Sequence, residues 1–189
     1  MIKGRLWGIH GRSLRPYRLL LFAGAVLMMG QLTATAAGAA GSHVGFGFNA
    51  SGIGGFPTGQ VTLTGGGAFD VSTGFVHAGG SFSCTSPVGQ GPLAGCLAGE
   101  GVRWDTEALL SQTTFKCTGS VSEALKPISA DEDTAVLQAD FYRAGDGIDE
   151  SFTANIIVAR KDIAPDIDGF QNVWVQGVGC ATATVHLSP

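Results

Sequence analysis

The chain of 189 residues has 11 Lys and Arg against 15 Asp and Glu, a formal net charge of −4. Five of the cations and none of the acids lie in the first 40 residues, so residues 41–189 keep 6 cations and 15 acids, a net charge of −9. A surface of that sign repels nucleic-acid phosphates and anionic lipid headgroups, so neither nucleic acid nor a stable membrane association is predicted for this part.

The first 40 residues have the order of a secretory signal peptide. Five cations precede an apolar run from Leu19 to Gly30, and a small-residue stretch follows from Thr33 to Ala40. The apolar run is shorter than the roughly 20 residues that span a bilayer. An uncleaved anchor is the alternative if the Ala- and Thr-rich stretch is counted as apolar. We predict a signal peptide over residues 1–40, export to the periplasm or the extracellular space, and a single mature domain over residues 41–189.

The cleavage position decides whether the mature N-terminus can bind a metal ion. Small residues permit cleavage after Ala36, Ala39 or Ala40. Cleavage after Ala40 would leave Gly41-Ser42-His43, whose α-amine, two backbone amides and imidazole can surround a square-planar Cu²⁺ or Ni²⁺. This makes His43 a candidate metal ligand, whereas after the other cuts it is simply the start of a strand. No cofactor is predicted.

In the mature part, short runs with apolar residues at every second position are separated by Gly, Pro, Asp and Ser, which predicts an all-β domain. The predicted strands are 43–50, 60–64, 75–84, 101–105, 112–117, 134–143, 151–160 and 171–187. The last run is long enough for one strand bent at Gly177 and Gly179 or for two short strands. Turns are predicted over 70–74 and at Asp146-Gly147, and single helical turns over 106–110 and 122–125.

Glycine is concentrated in the early strands, for example at Gly65 to Gly67, Gly79 and Gly80. Glycine inside a strand is favoured where the strand bends sharply or where two backbones come close, as at the corners of a closed barrel. We predict a small antiparallel β-barrel of about eight strands, with a two-sheet β-sandwich as the alternative. A phosphate-binding loop is excluded because no helix follows Gly65 to Gly67.

All four cysteines lie in the mature part. They are Cys84, Cys96, Cys117 and Cys180. An even number of cysteines in an exported chain predicts two disulfides, and the spacings of 12, 21 and 63 lack the clustered pairs of a metal site. The preferred pairing is Cys84–Cys96 and Cys117–Cys180, because Cys84 ends one predicted strand and Cys96 comes shortly before the next.

Four segments are dense in glycine, aromatic residues and cysteine. They are Gly59 to Cys84, Pro92 to Trp104, Ala139 to Gly147 and Gln171 to Cys180. Together they resemble a family of small exported bacterial all-β proteins of unassigned function. The resemblance implies an exported β-domain and carries no catalytic or binding residues.

Linear catalytic motifs are missing from the sequence, which has neither G-x-S-x-G nor H-E-x-x-H. Glu100, Asp105 and Glu107 offer a carboxylate pair of the kind that glycoside hydrolysis uses, but fifteen acids make such pairs frequent by chance. The acidic loops over 146–150 and 162–168 offer the oxygen ligands that Ca²⁺ prefers, although solvated turns are commonly acidic.

Three aromatic residues on predicted strands are the candidate binding residues: Trp104, Tyr142 and Trp174. Rings on a rigid sheet can stack on sugars or line an apolar pocket, and core packing is the alternative for each. The alternation of residues 101–105 puts Trp104 on the buried side. We predict a non-catalytic, disulfide-stabilised domain that binds an unknown small molecule, a glycan or a surface partner. The alternative is a small secreted enzyme whose site is formed by barrel-lining side chains.

Overall fold

A computed structural model describes residues 43–142 and 151–188, all of which belong to one compact unit, Ala39–Pro189. The predicted signal peptide and the predicted turn at Asp146-Gly147 lie outside the described residues. No helix in the described ranges is long and apolar enough to cross a membrane.

The described residues form an all-β structure, as predicted. The strands are β1 (Val44–Gly55), β2 (Gln60–Asp70), β3 (Phe75–Ser86), β4 (Arg103–Leu109), β5 (Gln112–Phe115), β6 (Lys126–Ser129), β7 (Thr134–Tyr142), β8 (Ser151–Ala159), β9 (Val173–Val175), β10 (Gly179–Ala181) and β11 (Thr184–Ser188).

Eight of these strands are hydrogen-bonded in a closed antiparallel ring. The pairing runs from β1 through β2, β3, β4, β7, β8, β9 and β10, and β10 returns to β1 at Gly54 and Gly55. β11 pairs with the first half of β1, while β5 and β6 form a separate hairpin. Strands that follow one another along the chain are therefore mostly neighbours in the sheet.

Alternate residues of the ring strands form the main apolar core. Phe46 and Phe48 of β1, Leu63 of β2 and Trp104 of β4 are all buried within it. Asn49, next to Phe48 in the sequence, is exposed. This period of two is the one expected when a single face of a sheet is buried.

A second apolar cluster lies on the opposite face of β8 and β9. Ile156 and Val158 belong to the main core, whereas Ile157 and Trp174 belong to the second cluster. Because successive side chains of a strand point to opposite faces, β8 and β9 are buried on both sides. The residues that cover the second side include Phe115, Ile128 and Ile163. The β5–β6 hairpin and the loop after β8 thus form an outer layer over this part of the ring.

Both predicted disulfides are present in the predicted pairing. Cys84 is bonded to Cys96 and Cys117 to Cys180, and the described residues include no free cysteine. The turn over residues 70–74 is also confirmed. Asp70 Oδ1 accepts a hydrogen bond from Ser72 N at 2.8 Å, and Gly74 has a φ of 72°.

The predicted helical turns are wrong. The first segment continues β4 as far as Leu109, since its backbone pairs with β7 and Thr106 Oγ1 is hydrogen-bonded to both the N–H and the carbonyl of Ala78. The second, over 122–125, is irregular and has no helix. Strand β6 was not predicted, because Pro127 and the short polar run around it favour a loop until β5 supplies a pairing partner.

Candidate functional site

An apolar cleft of about 290 Å³ is lined by β5, by the turn between β9 and β10, and by neighbouring loops. We call it the Trp174 cleft. Its apolar lining consists of Phe56, Pro92, Phe115, Leu125 and Trp174. Its polar lining includes Thr113, Lys116, Asn155 and Gln176. Apolar walls with a few polar groups are typical of sites that bind small molecules.

Trp174 is held rigidly at the centre of β9. Its backbone pairs with Ile157 on one side and Cys180 on the other, and only 3% of the residue is exposed. The indole Nε1 donates a hydrogen bond to the carbonyl of Lys116 at 2.8 Å, and the ring centroid is 5.7 Å from that of Phe115. Because the indole N–H is hydrogen-bonded to a backbone carbonyl, the orientation of the Trp174 ring is fixed before any ligand binds.

The loop that carries Lys116 and Leu125 is organised by the carboxylate of Glu123. Its Oε1 accepts hydrogen bonds from Cys117 N at 2.7 Å and from Lys126 Nζ at 2.8 Å. Its Oε2 accepts from Thr118 N at 2.8 Å. Burial opposes ionisation, but the hydrogen bonds from Lys126, Thr118 and Cys117 outweigh it and lower the pKa of Glu123 to about 2. The loop therefore folds around the buried carboxylate of Glu123 and donates hydrogen bonds to it.

A disulfide ties the same loop to the ring. Cys117 and Cys180 have Cα atoms 4.9 Å apart, and both belong to the second apolar cluster with Trp174. Cys180 also pairs with Trp174 across β9 and β10. This bond joins the segment that follows Lys116 to the strand beside Trp174, so one wall of the cleft is covalently attached to the other.

On the β8 side of the cleft, the Gln176 side chain extends the sheet. The last regular pair between β8 and β9 is Ile156 with Val175. Beyond it, Gln176 N donates to the carbonyl of Asn155 at 2.9 Å, and Gln176 Oε1 accepts from Asn155 N at 3.0 Å. The amide side chain thereby takes the place of a backbone carbonyl and fixes the polar edge of the cleft.

A second concavity, of about 380 Å³, lies over β2, β3 and β4. Its floor includes Gly66, Gly67, Gly79 and Gly80, and its sides include His77 and Asp105. No Phe, Tyr or Trp lines it. Because glycines and polar side chains make up much of its lining, it offers a ligand less apolar contact than the Trp174 cleft.

The three aromatic residues predicted to bind a ligand do not share a site. Trp104 is fully buried in the main core, as its position in the alternation predicts, and its Nε1 donates to the carbonyl of Thr64 at 2.9 Å. Tyr142 is half-buried, with the Arg103 guanidinium 4.6 Å from its ring centroid. Of the three, Trp174 alone lines the Trp174 cleft.

His43, the predicted metal ligand, is exposed at the start of the described chain. Its ring packs against Phe75, with the centroids 4.7 Å apart. Gly41 and Ser42, which would complete the copper site, lie outside the described residues, so this site stays a prediction. Mass spectrometry of the exported protein tests it, since a mature chain that does not begin at Gly41 cannot form the site.

Two of the described acidic candidates make structural contacts. Asp162 Oδ1 accepts from Ala164 N at 3.0 Å, and Asp166 lies 3.0 Å from Lys126 Nζ. The loop over 146–150 lies outside the described ranges. Within those ranges, no group of three or more His, Cys, Asp or Glu side chains is arranged to hold a metal ion.

Of the three carboxylates considered for hydrolysis, one lies in the loop before β4 and two lie on β4. Glu100 accepts a hydrogen bond from Leu97 N at 2.8 Å in the loop before β4. Asp105 lies 3.6 Å from Arg103 Nε in an exposed ion pair. Desolvation, together with the charge of Asp140 and a hydrogen bond with it, raises the pKa of Glu107. A raised carboxyl pKa is a property that acid–base catalysis uses.

Sequence reasoning missed most of the cleft. Phe115, Lys116, Leu125 and Gln176 were not singled out. One signal was available: the preferred pairing of Cys117 with Cys180 brings the neighbours of both cysteines together. Lys116 precedes one cysteine, and the strand containing Trp174 leads to the other.

Comparison of the chain with models of protein families, with curated proteins and with solved structures finds no match. The resemblance to small exported bacterial proteins stays a prediction.

Proposed function

We propose that the protein is an exported β-barrel domain that binds a small ring-bearing molecule in the Trp174 cleft without transforming it. The observation that carries the proposal is the lining of the cleft by three aromatic residues, Phe56, Phe115 and Trp174, beside threonine, asparagine, glutamine and lysine residues. Flat apolar surface contributes affinity, and fixed polar groups contribute orientation.

The barrel and the export are supported by different observations. The hydrogen-bonded ring of eight strands leaves no free edge in the circuit from β1 to β10, which is what a small closed barrel requires. The two disulfides suit an oxidising compartment, and the signal-like order of residues 1–40 agrees with that location.

The size of the cleft limits the ligand. About 290 Å³ lies at the lower end of the range for small-molecule sites, which begins near 300 Å³. It therefore suits one aromatic ring with a short side chain, or one sugar ring of a longer glycan. Larger ligands would have to extend into solvent past Leu125, which is 63% exposed.

Binding is tested on the exported protein with two neutral probes, 3-phenylpropanamide and the trisaccharide of N-acetylglucosamine. Calorimetry measures the affinity, and tryptophan emission, compared between the native protein and Trp174→Phe, locates the site. Leu125→Ala removes a side chain that lines the cleft. Val121→Ala is the matched control, because Val121 is on the same loop, is 99% exposed and is not part of the lining.

We expect at least one probe to bind, to change the emission of Trp174, and to bind severalfold more weakly to Leu125→Ala than to Val121→Ala. If both variants bind a probe as the native protein does, the cleft is not the ligand site. If neither the neutral probes nor a charged analogue of them binds, the proposal fails.

The enzyme alternative is favoured by one observation, the raised pKa of Glu107 beside Asp140. Asp105 pairs with Asp140 across β4 and β7 and also borders the glycine-floored concavity. A carboxyl that remains protonated at higher pH can act as a general acid. If a hydrolytic activity is found in the purified protein, Glu107→Gln should abolish it and Glu132→Gln, on an exposed turn, should not.

A further inference from the structure

We infer that the ligand of the Trp174 cleft carries a carboxylate and that Lys116 is its counter-ion. This inference rests on the proposed function and specifies the class of molecule that the cleft selects. It follows from the distribution of charge around the cleft, from the position of Lys116 beside Trp174, and from the capacity of its ammonium group for further hydrogen bonds.

Lys116 differs from the other described cations in its distance from the nearest carboxylate. Of the five Lys and Arg residues in the described ranges, the other four have a carboxylate oxygen within 4 Å. These pairs are Arg103–Asp105, Lys126–Glu123, Arg160–Asp133 and Lys161–Asp131. No carboxylate of the described residues lies within that distance of Lys116. In a mature chain with 15 acids against 6 cations, an ammonium group without an acidic partner among the described residues is unexpected.

The position of Lys116 suits recognition of a ligand that stacks on the aromatic wall. Its backbone carbonyl accepts the hydrogen bond from Trp174 Nε1, so the two residues are fixed side by side. Its Nζ donates to the carbonyl of Ser120 at 2.9 Å. An ammonium group has three donors, so two remain for a carboxylate.

The loop on either side of Lys116 limits the movement of its backbone. Phe115 is buried directly before it, and Cys117 is disulfide-bonded directly after it. A positioned cation loses less conformational freedom on binding than one on a mobile loop.

The net charge of the protein makes the inference testable. A mature chain with a net charge of −9 repels anions at long range. This repulsion is screened beyond about 10 Å at 0.1 M salt, whereas a direct contact with Lys116 is screened much less. A preference for an anionic ligand over its neutral analogue must therefore come from a local cation.

The experiment compares 3-phenylpropanoate with 3-phenylpropanamide at pH 7, since the two differ only in the charged group. Both are titrated by calorimetry into the native protein, Lys116→Met and Lys116→Arg. Lys161→Met is the control, because it removes a cation that is paired with Asp131 away from the cleft.

We expect the carboxylate to bind the native protein about tenfold more tightly than the amide, a factor typical of one charge-assisted hydrogen bond. Lys116→Met should remove the preference, whereas Lys116→Arg and Lys161→Met should retain it. Equal binding of both probes to the native protein, or a preference that persists in Lys116→Met, overturns the inference and leaves the proposed function intact. If neither 3-phenylpropanoate nor any neutral probe binds, the proposed function itself fails.

Discussion

Trp104 and Trp174 are both tryptophans on strands, but they have different roles in the structure. Each indole N–H donates to a backbone carbonyl, of Thr64 and of Lys116 respectively. Trp104 lies against Gly65, where a Cβ atom would clash with the indole ring. Trp174 instead lies beside a cleft. The small neighbour lets one ring fill the main core, whereas the outer layer packs against the other ring, which lies at the wall of the cleft.

We predict that Trp104→Ala lowers the free energy of unfolding by about 3–5 kcal/mol, because it leaves a cavity at a fully buried site. Phe75→Ala is the control, since Phe75 is 40% exposed and its loss should cost less than about 1 kcal/mol. Urea unfolding of both variants measures the difference. A loss below about 1 kcal/mol for Trp104→Ala would contradict the burial of the ring.

Glu123 should make stability depend on pH in the acid range. Its pKa of about 2 in the folded state lies below the ordinary value of 4.5, so its contribution is complete above pH 4.5 and is lost as the pH falls toward 2. The shift corresponds to about 3 kcal/mol.

Chemical unfolding of native protein and Glu123→Gln from pH 6 to pH 2 measures this contribution. The two curves of unfolding free energy should converge as the pH falls. The lowered pKa values of Asp70 and Asp131 affect both proteins equally, so they cancel in the comparison. Curves that stay parallel would show that Glu123 does not hold the loop.

At the scale of the elements, the β5–β6 hairpin depends on its surroundings. Its pairing is limited to four residue pairs, from Gln112 with Ser129 to Phe115 with Lys126. A hairpin of this size is marginal in isolation. Phe115 and Ile128 pack on the outer face of β8 and β9, and the Cys117–Cys180 bond attaches the end of β5 to β10.

The two disulfides should differ in their contribution to stability. Chain entropy predicts about 3 kcal/mol for Cys84–Cys96, which spans 12 residues, and about 4 kcal/mol for Cys117–Cys180, which spans 63. Double alanine variants of each pair, unfolded in urea without reductant, give the two values. A larger loss for the Cys84–Cys96 pair would contradict the entropic ranking.

At the scale of the whole molecule, closure of the strand ring depends on a close approach of two backbones. Gly55 pairs with Gly179 where β10 meets β1. Gly179 has a φ of 134°, and a Cβ atom there would clash with the carbonyl oxygen of Gly54. Two glycines thus permit the contact that turns an open sheet into a closed circuit.

We predict that Gly179→Ala destabilises the protein by about 3 kcal/mol or more, through backbone strain and steric overlap together. Gly74→Ala is the matched control: Gly74 also has a positive φ, of 72°, but has no atom within 4 Å of an added Cβ, so strain alone should cost about 1–2 kcal/mol. Thermal and urea unfolding compare the two. Equal losses would show that ring closure tolerates a side chain at this position.

From the sequence alone one could predict the all-β class, the approximate positions of most strands, the turn after Asp70 and the presence of two disulfides, whose pairing it favoured without deciding it. These features depend on local signals: alternation, turn residues and cysteine spacing. The tertiary structure alone decided that β4 extends through Thr106, because that extension needs Ala78 and β7 as partners. It alone also separated Trp174 from Trp104. The cleft is assembled from Phe56, Pro92, Leu125 and Gln176, which are distant in sequence, and only the folding of the outer layer onto β8 and β9 brings them together.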